Sequence, residues 1–167
     1  RLIDPVEALV KKHPRIWDWL NGRVQAALLK EHGEDAMDAA VHAPRYRAVV
    51  AGYGSVGRTV CRLLQENEIE PAVIEMNIQT VRRLKSAGMS AVYGDASHRD
   101  TLKSAGVEGA VTLVLNAAGM HNAKEVIRLA RELNPKISIF ILTEFLGEVE
   151  AFCSAGADAV FSGEGET

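Results

Sequence analysis

From residue 46 onward, short apolar runs alternate with amphipathic stretches, and the two repeat without pause to the end of the chain. The apolar runs fall at 46–51, 72–74, 91–93, 110–115 (AVTLVL), 137–142 (ISIFIL) and 159–161. Between them, apolar residues recur at three- and four-residue spacing over 55–67, 78–87, 100–105, 122–133 and 147–155, which predicts helices. The apolar runs do not alternate with polar residues. Strands of that kind belong to a parallel sheet covered by helices on both faces.

Six parallel strands joined by right-handed helical crossovers give an α/β fold of the Rossmann, doubly wound type, with strand order 3-2-1-4-5-6. The pattern changes before residue 44. Residues 1–43 hold both tryptophans and three of the five histidines, with Asp4-Pro5 suited to a helix N-cap and first turn. Val6, Leu9 and Val10, then Ile16, Trp17, Leu20 and Val24, predict two short amphipathic helices broken near Pro14. Two parts are therefore expected: a helical linker over 1–43 and a Rossmann domain over 44–167.

The candidate chemistry sits where the first strand meets the first helix, at Gly52-Tyr53-Gly54-Ser55-Val56-Gly57. In this spacing the first glycine permits a tight turn, the second lets backbone approach a phosphate, and the third lets the helix pack on the strand. Amides of the first helical turn, with the helix dipole behind them, then face an anion. A glycine-rich turn alone would be weak evidence. Its position between an apolar strand and an apolar helix (Val56, Val60, Leu63, Leu64) strengthens it. Glu75 ends the second strand, followed by Met76, where a carboxylate accepts hydrogen bonds from ribose hydroxyls. An acid there repels a 2′-phosphate, so NAD(H) or an adenine nucleotide fits better than NADP. Arg82 and Arg83 read as a solvated helix face.

Ligands of open α/β sheets bind beyond the carboxyl ends of the strands. Gly94-Asp95-Ala96 after the third strand and Asn116-Ala117-Ala118-Gly119 after the fourth are thus expected to border the same site. Asp95 either contacts an adenine or caps the next helix, and Asn116 either faces the ligand or satisfies a turn.

Composition narrows the function classes. With 47% apolar and 25% charged residues the chain is globular, and a net charge of −3 offers no positive field for nucleic acid or anionic lipid. No apolar run reaches the roughly 20 residues that span a bilayer, and no signal-peptide pattern appears. Cys61 and Cys153 lie in helical patterns and are expected to pack as small hydrophobes in a reducing compartment. The chain opens on Arg1 and closes on Gly163-Glu164-Gly165-Glu166-Thr167, so it reads as a piece of a longer protein. Catalysis is not expected. Tyr46, Tyr53 and Tyr93 lack a lysine four residues on, and metal-ligand spacing is absent; His98 and His121 fall in loops at the ligand edge, but no carboxylate partner is evident for either. An NAD-dependent oxidoreductase fragment without its substrate domain is the alternative, and a fold that serves only in assembly is a third.

The glycine turn, Val73-Ile74-Glu75, Gly94-Asp95-Ala96-Ser97, Leu102-Lys103-Ser104-Ala105-Gly106-Val107 and Gly156-Ala157-Asp158-Ala159-Val160 together resemble the N-terminal lobe of RCK domains, also called KTN or Trk-type NAD-binding domains. The resemblance covers residues 46 to about 164. It implies a non-enzymatic regulatory domain on the cytoplasmic face of the cell membrane, attached to a potassium channel, a Trk uptake system or a monovalent cation:proton antiporter. Such domains dimerise and bind NAD(H), AMP, ADP or ATP to bias transport. The segment from Leu2-Ile3-Asp4-Pro5-Val6-Glu7 through Trp17-Asp18-Trp19-Leu20 is similar to the stretch after the last membrane helix of Kef-like antiporters. That implies a transmembrane antiporter domain of the same protein as partner. By position, Gly52, Gly54 and Gly57 would hold phosphate, Glu75 the ribose, Asp95 and Ala96 the adenine side, and Asn116 and Ala117 the opposite wall. The chain departs from many relatives in two places. Ser55 stands where they carry an arginine, and Leu142-Thr143-Glu144 stands where they end the fifth strand with Ala-Arg. Both losses disfavour a highly charged nucleotide such as ATP. For the dimer surface, Val126, Ile127, Leu129, Val149 and Phe152 are candidates, with packing on their own sheet as the alternative.

Overall fold

A computed structural model describes residues 47–163 except Gly119. These lie within one of the two units into which the chain divides, Arg45–Thr167. The helices expected over 1–43 fall outside the described residues.

Six strands form one sheet: β1 (Arg47–Ala51), β2 (Glu70–Glu75), β3 (Ser90–Tyr93), β4 (Thr112–Asn116), β5 (Ser138–Thr143) and β6 (Ala159–Ser162). All neighbouring pairs run parallel, in the order β3-β2-β1-β4-β5-β6. The helices are α1 (Ser55–Glu66), α2 (Ile78–Ser86), α3 (Arg99–Ser104), α4 (Ala123–Leu133) and α5 (Val149–Ala155). The doubly wound fold expected from the apolar runs is therefore present. Val49, Leu113 and Ile139 on the central strands are fully buried together with Leu102, Val126 and Ile127 from the covering helices, which is why these strands carry no polar face.

The differences from the sequence pattern have local causes. β2 begins two residues before its apolar run, at Glu70-Pro71. Pro71 lies opposite Ala48 of β1, while β3 joins the ladder only at Ala72, so a missing amide is tolerated at this first turn of pairing. β4 starts two residues late because Val107–Gly109 forms a 3-10 turn that carries the chain through Ala110 into the sheet. The last helical stretch divides into a 3-10 turn, Leu146–Glu148, and α5.

Two expectations are corrected. Val126, Ile127, Leu129 and Phe152 are buried in the domain's own core and are not a free surface. Cys61 is buried and its thiol is pushed up to about 12 by that burial, but Cys153 is exposed and does not pack as a core residue.

Candidate functional site

The chain leaves β1 toward β2 on one side and later returns through β4 on the other, so the sheet reverses its direction of winding at β1. A crevice opens at such a point, beyond the carboxyl ends of the strands. Here it is a cleft of about 370 Å³, within the range of roughly 300–1,000 Å³ usual for small-molecule sites.

The glycine turn forms its floor. Gly52 has φ +96, a conformation that strains any residue with a side chain, and its N–H donates to Ile74 O at 2.9 Å, tying the turn to β2. Gly57 is held to glycine by contact: a Cβ there would stand 2.0 Å from Gly52 O. Gly54 is the N-cap of α1, and a Cβ on it would meet nothing within 4 Å, so the space in front of the helix is open. No side chain caps α1. In contrast, α2 is closed by Asn77, whose Oδ1 accepts from Gln79 N and Thr80 N at 3.0 and 3.1 Å. The first amides of α1 thus remain without a side-chain acceptor in front of an empty space, as an anion site requires.

Glu75 turns into the cleft and is fixed by both oxygens. Oε2 accepts from Tyr53 N and Oε1 from Asn77 N, each at 2.9 Å. A carboxylate oxygen offers about two lone-pair sites, so each retains one toward the cleft. Asp95 lies on the β3 side, where its Oδ1 accepts from Ser97 N at 2.8 Å. That backbone hydrogen bond holds its carboxyl below the usual aspartate range. The Asp95 side chain therefore closes the turn before α3, and the residue also lines the cleft. Asn116 likewise does two things: its Oδ1 accepts from Ala118 N at 3.3 Å and it borders the cleft.

Of the residues singled out in the sequence, the structure gathers Gly52, Tyr53, Gly54, Glu75, Met76, Gly94, Asp95, Ala96, Asn116 and Ala118 around one cavity. Ser55, Val56, Gly57 and Ala117 do not line it. Gly57 is buried under the turn, and Ala117 is buried with its N–H donating to Leu142 O at 2.8 Å. Of the two histidines expected in loops at the ligand edge, His121 lines the cleft and His98 does not; Ala51, Ile74 and Met120 complete the wall and were not anticipated there. Position at a strand's end signals the first two. Met120 depends on how the loop after β4 folds, for which the sequence carries no local signal.

An open parallel sheet with a glycine turn at its switch point and an acid ending the second strand defines a Rossmann-type domain. More narrowly, the chain belongs to the TrkA-N domain family, whose profile matches residues 48–163. Across 166 residues it is 29% identical to YbaL of Escherichia coli (strain K12), a protein named as a cation/proton antiporter, covering 99% of this chain and 29% of YbaL. The chain thus spans under a third of that relative's length. The crystal structure of the TrkA-N domain of ybaL superposes with a TM-score of 0.68 at 31% identity, covering 74% of this chain and 90% of that one. The fold is shared with GsuK bound to ADP (TM-score 0.63, 21% identity, 71% and 31% covered). It is shared also with the Shewanella denitrificans Kef C-terminal domain in its AMP-bound form (TM-score 0.58, 22% identity, 70% and 70% covered).

Proposed function

We propose that this domain binds an adenine nucleotide or NAD(H) in the β1 cleft and regulates a monovalent cation:proton antiporter of the Kef and YbaL kind. The observation that carries the reading is the pairing of an uncapped helix N-terminus with a carboxylate fixed beside it. The amides of α1 receive phosphate, and Glu75, held by Tyr53 N and Asn77 N, receives the ribose hydroxyls. Gly54 allows close approach, Met76, Asp95 and Ala96 flank the adenine, and Asn116 and Ala118 form the opposite wall, with Ala117 buried behind them. Ser55, Val56 and Gly57 act through their backbone. Relatives solved with ADP and AMP support this ligand class.

The regulatory part of the proposal draws on YbaL. The domain acts from the cytoplasmic face of the membrane, linked through residues 1–43 to the transmembrane antiporter domain, and pairs with a second copy of itself. No chemical step is needed. A nucleotide that prefers one arrangement of the pair shifts the transporter by the difference in affinity, about 1–3 kcal/mol in comparable couplings.

Calorimetric titration with AMP, ADP, ATP, NAD and NADH tests the binding step. Saturable binding of AMP, NAD or NADH is expected, with ATP weakest. Silence with all five would leave a fold that serves only in assembly. Hydride transfer from NADH to an added carbonyl compound would favour the oxidoreductase alternative.

A further inference from the structure

The cleft is poor in positive charge. Among the described residues that line it, Glu75 and Asp95 are carboxylates, Tyr53 is a phenol, and no lysine or arginine takes part. The sole imidazole is His121, exposed in the loop between β4 and α4. Three amides of that loop are engaged: Ala117 N donates to Leu142 O, Ala118 N to Asn116 Oδ1, and Met120 N to Ala117 O. On the opposite side, Tyr53 N is taken by Glu75. A phosphate between these walls meets the uncapped amides at the start of α1. From the β4 side it meets one side chain able to carry positive charge.

We propose that His121 is the side-chain cation for the nucleotide's phosphate, that it limits the cleft to ligands of low phosphate charge, and that it makes their binding proton-linked. This rests on the nucleotide reading of the same cleft and adds its charge selectivity. Histidine is the side chain whose ordinary charge change falls between about pH 5 and 8. The imidazolium attracts phosphate and the neutral ring does not, so affinity is highest at the acidic end of that range and falls as pH rises through it. The groups that share the cleft with His121 are Tyr53 from the glycine turn, Glu75 from β2 and Asp95 from the β3 end. Lys124 and Glu125 follow in the first turn of α4, and Glu144 and Glu148 lie past the end of β5. The Glu75 carboxylate beside the phosphate position repels each added phosphate charge. One imidazolium cannot offset a triphosphate against two carboxylates.

The test is calorimetric titration of the wild-type domain, His121→Gln and His121→Lys with NAD and with AMP, at about pH 6 and about pH 8. A phosphate monoester itself titrates near about pH 6, so for AMP the ratio of wild type to His121→Gln at each pH cancels the ligand's own protonation. Wild type is expected to bind about five- to tenfold tighter at the lower pH, the change expected when the charged imidazole pairs with phosphate and the neutral ring does not. His121→Gln should bind NAD weakly and equally at both, and His121→Lys tightly at both. Equal unfolding midpoints for the three proteins exclude a folding defect. Wild-type binding that ignores pH, or a His121→Gln protein that keeps the pH dependence, overturns this inference and leaves the nucleotide reading intact. If wild type binds neither ligand at either pH, both are overturned.

Discussion

The two ends of the sheet treat polar groups in opposite ways. At the amino end, beneath β4, β5 and β6, side chains from α4 close every loop they reach. Asn134 Nδ2 donates to Val107 O at 2.9 Å and Ala110 O at 2.8 Å. Arg131 donates to Ile137 O, to Gly156 O at 3.0 Å and to Asp158 Oδ2 at 2.7 Å, and the same Asp158 oxygen accepts from Ile139 N. At the carboxyl end the arrangement is open: α1 has no side-chain cap, the space before Gly54 is empty, and Glu75 is bonded with lone pairs to spare. One end puts its hydrogen bonds into the fold, and the other leaves the amides of α1 uncapped where the proposed nucleotide would bind. A fold of this kind can keep a binding site unsatisfied because its stability is secured elsewhere.

The contrast can be broken by substitution. The largest effect is expected from Gly57→Ala, because the added methyl would stand 2.0 Å from a backbone carbonyl that cannot move without opening the turn. It should cost about 3 kcal/mol and remove nucleotide binding as well, read by thermal unfolding and titration together. Asn134→Ala strips two carbonyls at the closed end of their donor. A loss of about 2–3 kcal/mol in denaturant unfolding is expected, with nucleotide affinity unchanged. A change in affinity would show that the two ends are coupled.

Glu75→Gln exchanges the balance. An amide group presents a donor to one of the two backbone N–H groups that now share the carboxylate. About 1 kcal/mol of stability and roughly a tenfold loss in affinity are expected, since the ribose loses a charged acceptor. The smallest effect is that of Asp95→Ala, which removes the acceptor for Ser97 N at a cost of about 0.5–1 kcal/mol. Because the folded carboxyl sits below its ordinary range, its contribution is present above the unfolded pKa and is lost as pH falls through the lowered one. Unfolding midpoints of wild type and variant should therefore converge on acidification.

The open end was far more legible in the sequence than the closed one. Glycines at fixed spacing after an apolar strand, and an acid ending the next strand, are local signals with a mechanical reason, and ten of the expected residues meet around one cleft. On the cleft's fourth side His121 was placed in advance, but Met120 escaped because it reaches the site only through the loop after β4, whose bond from Ala117 N to Leu142 O is set by tertiary context. The closed end gave no sign at all. Asn134 reaches Val107 and Ala110, and Arg131 reaches Asp158, across 24 to 27 residues of chain, a distance at which no spacing rule operates. The early start of β2 was hidden by Glu70-Pro71, poor strand formers made acceptable by the late entry of β3.

The most direct measurement is amide chemical-shift mapping by NMR on addition of AMP and of NAD. Shifts are predicted at Gly52 through Gly57, at Glu75 and along Asn116 to Ala118, with Arg131, Asn134 and Gly156 unmoved. Shifts confined to the closed end, or none at saturating ligand, would contradict the account.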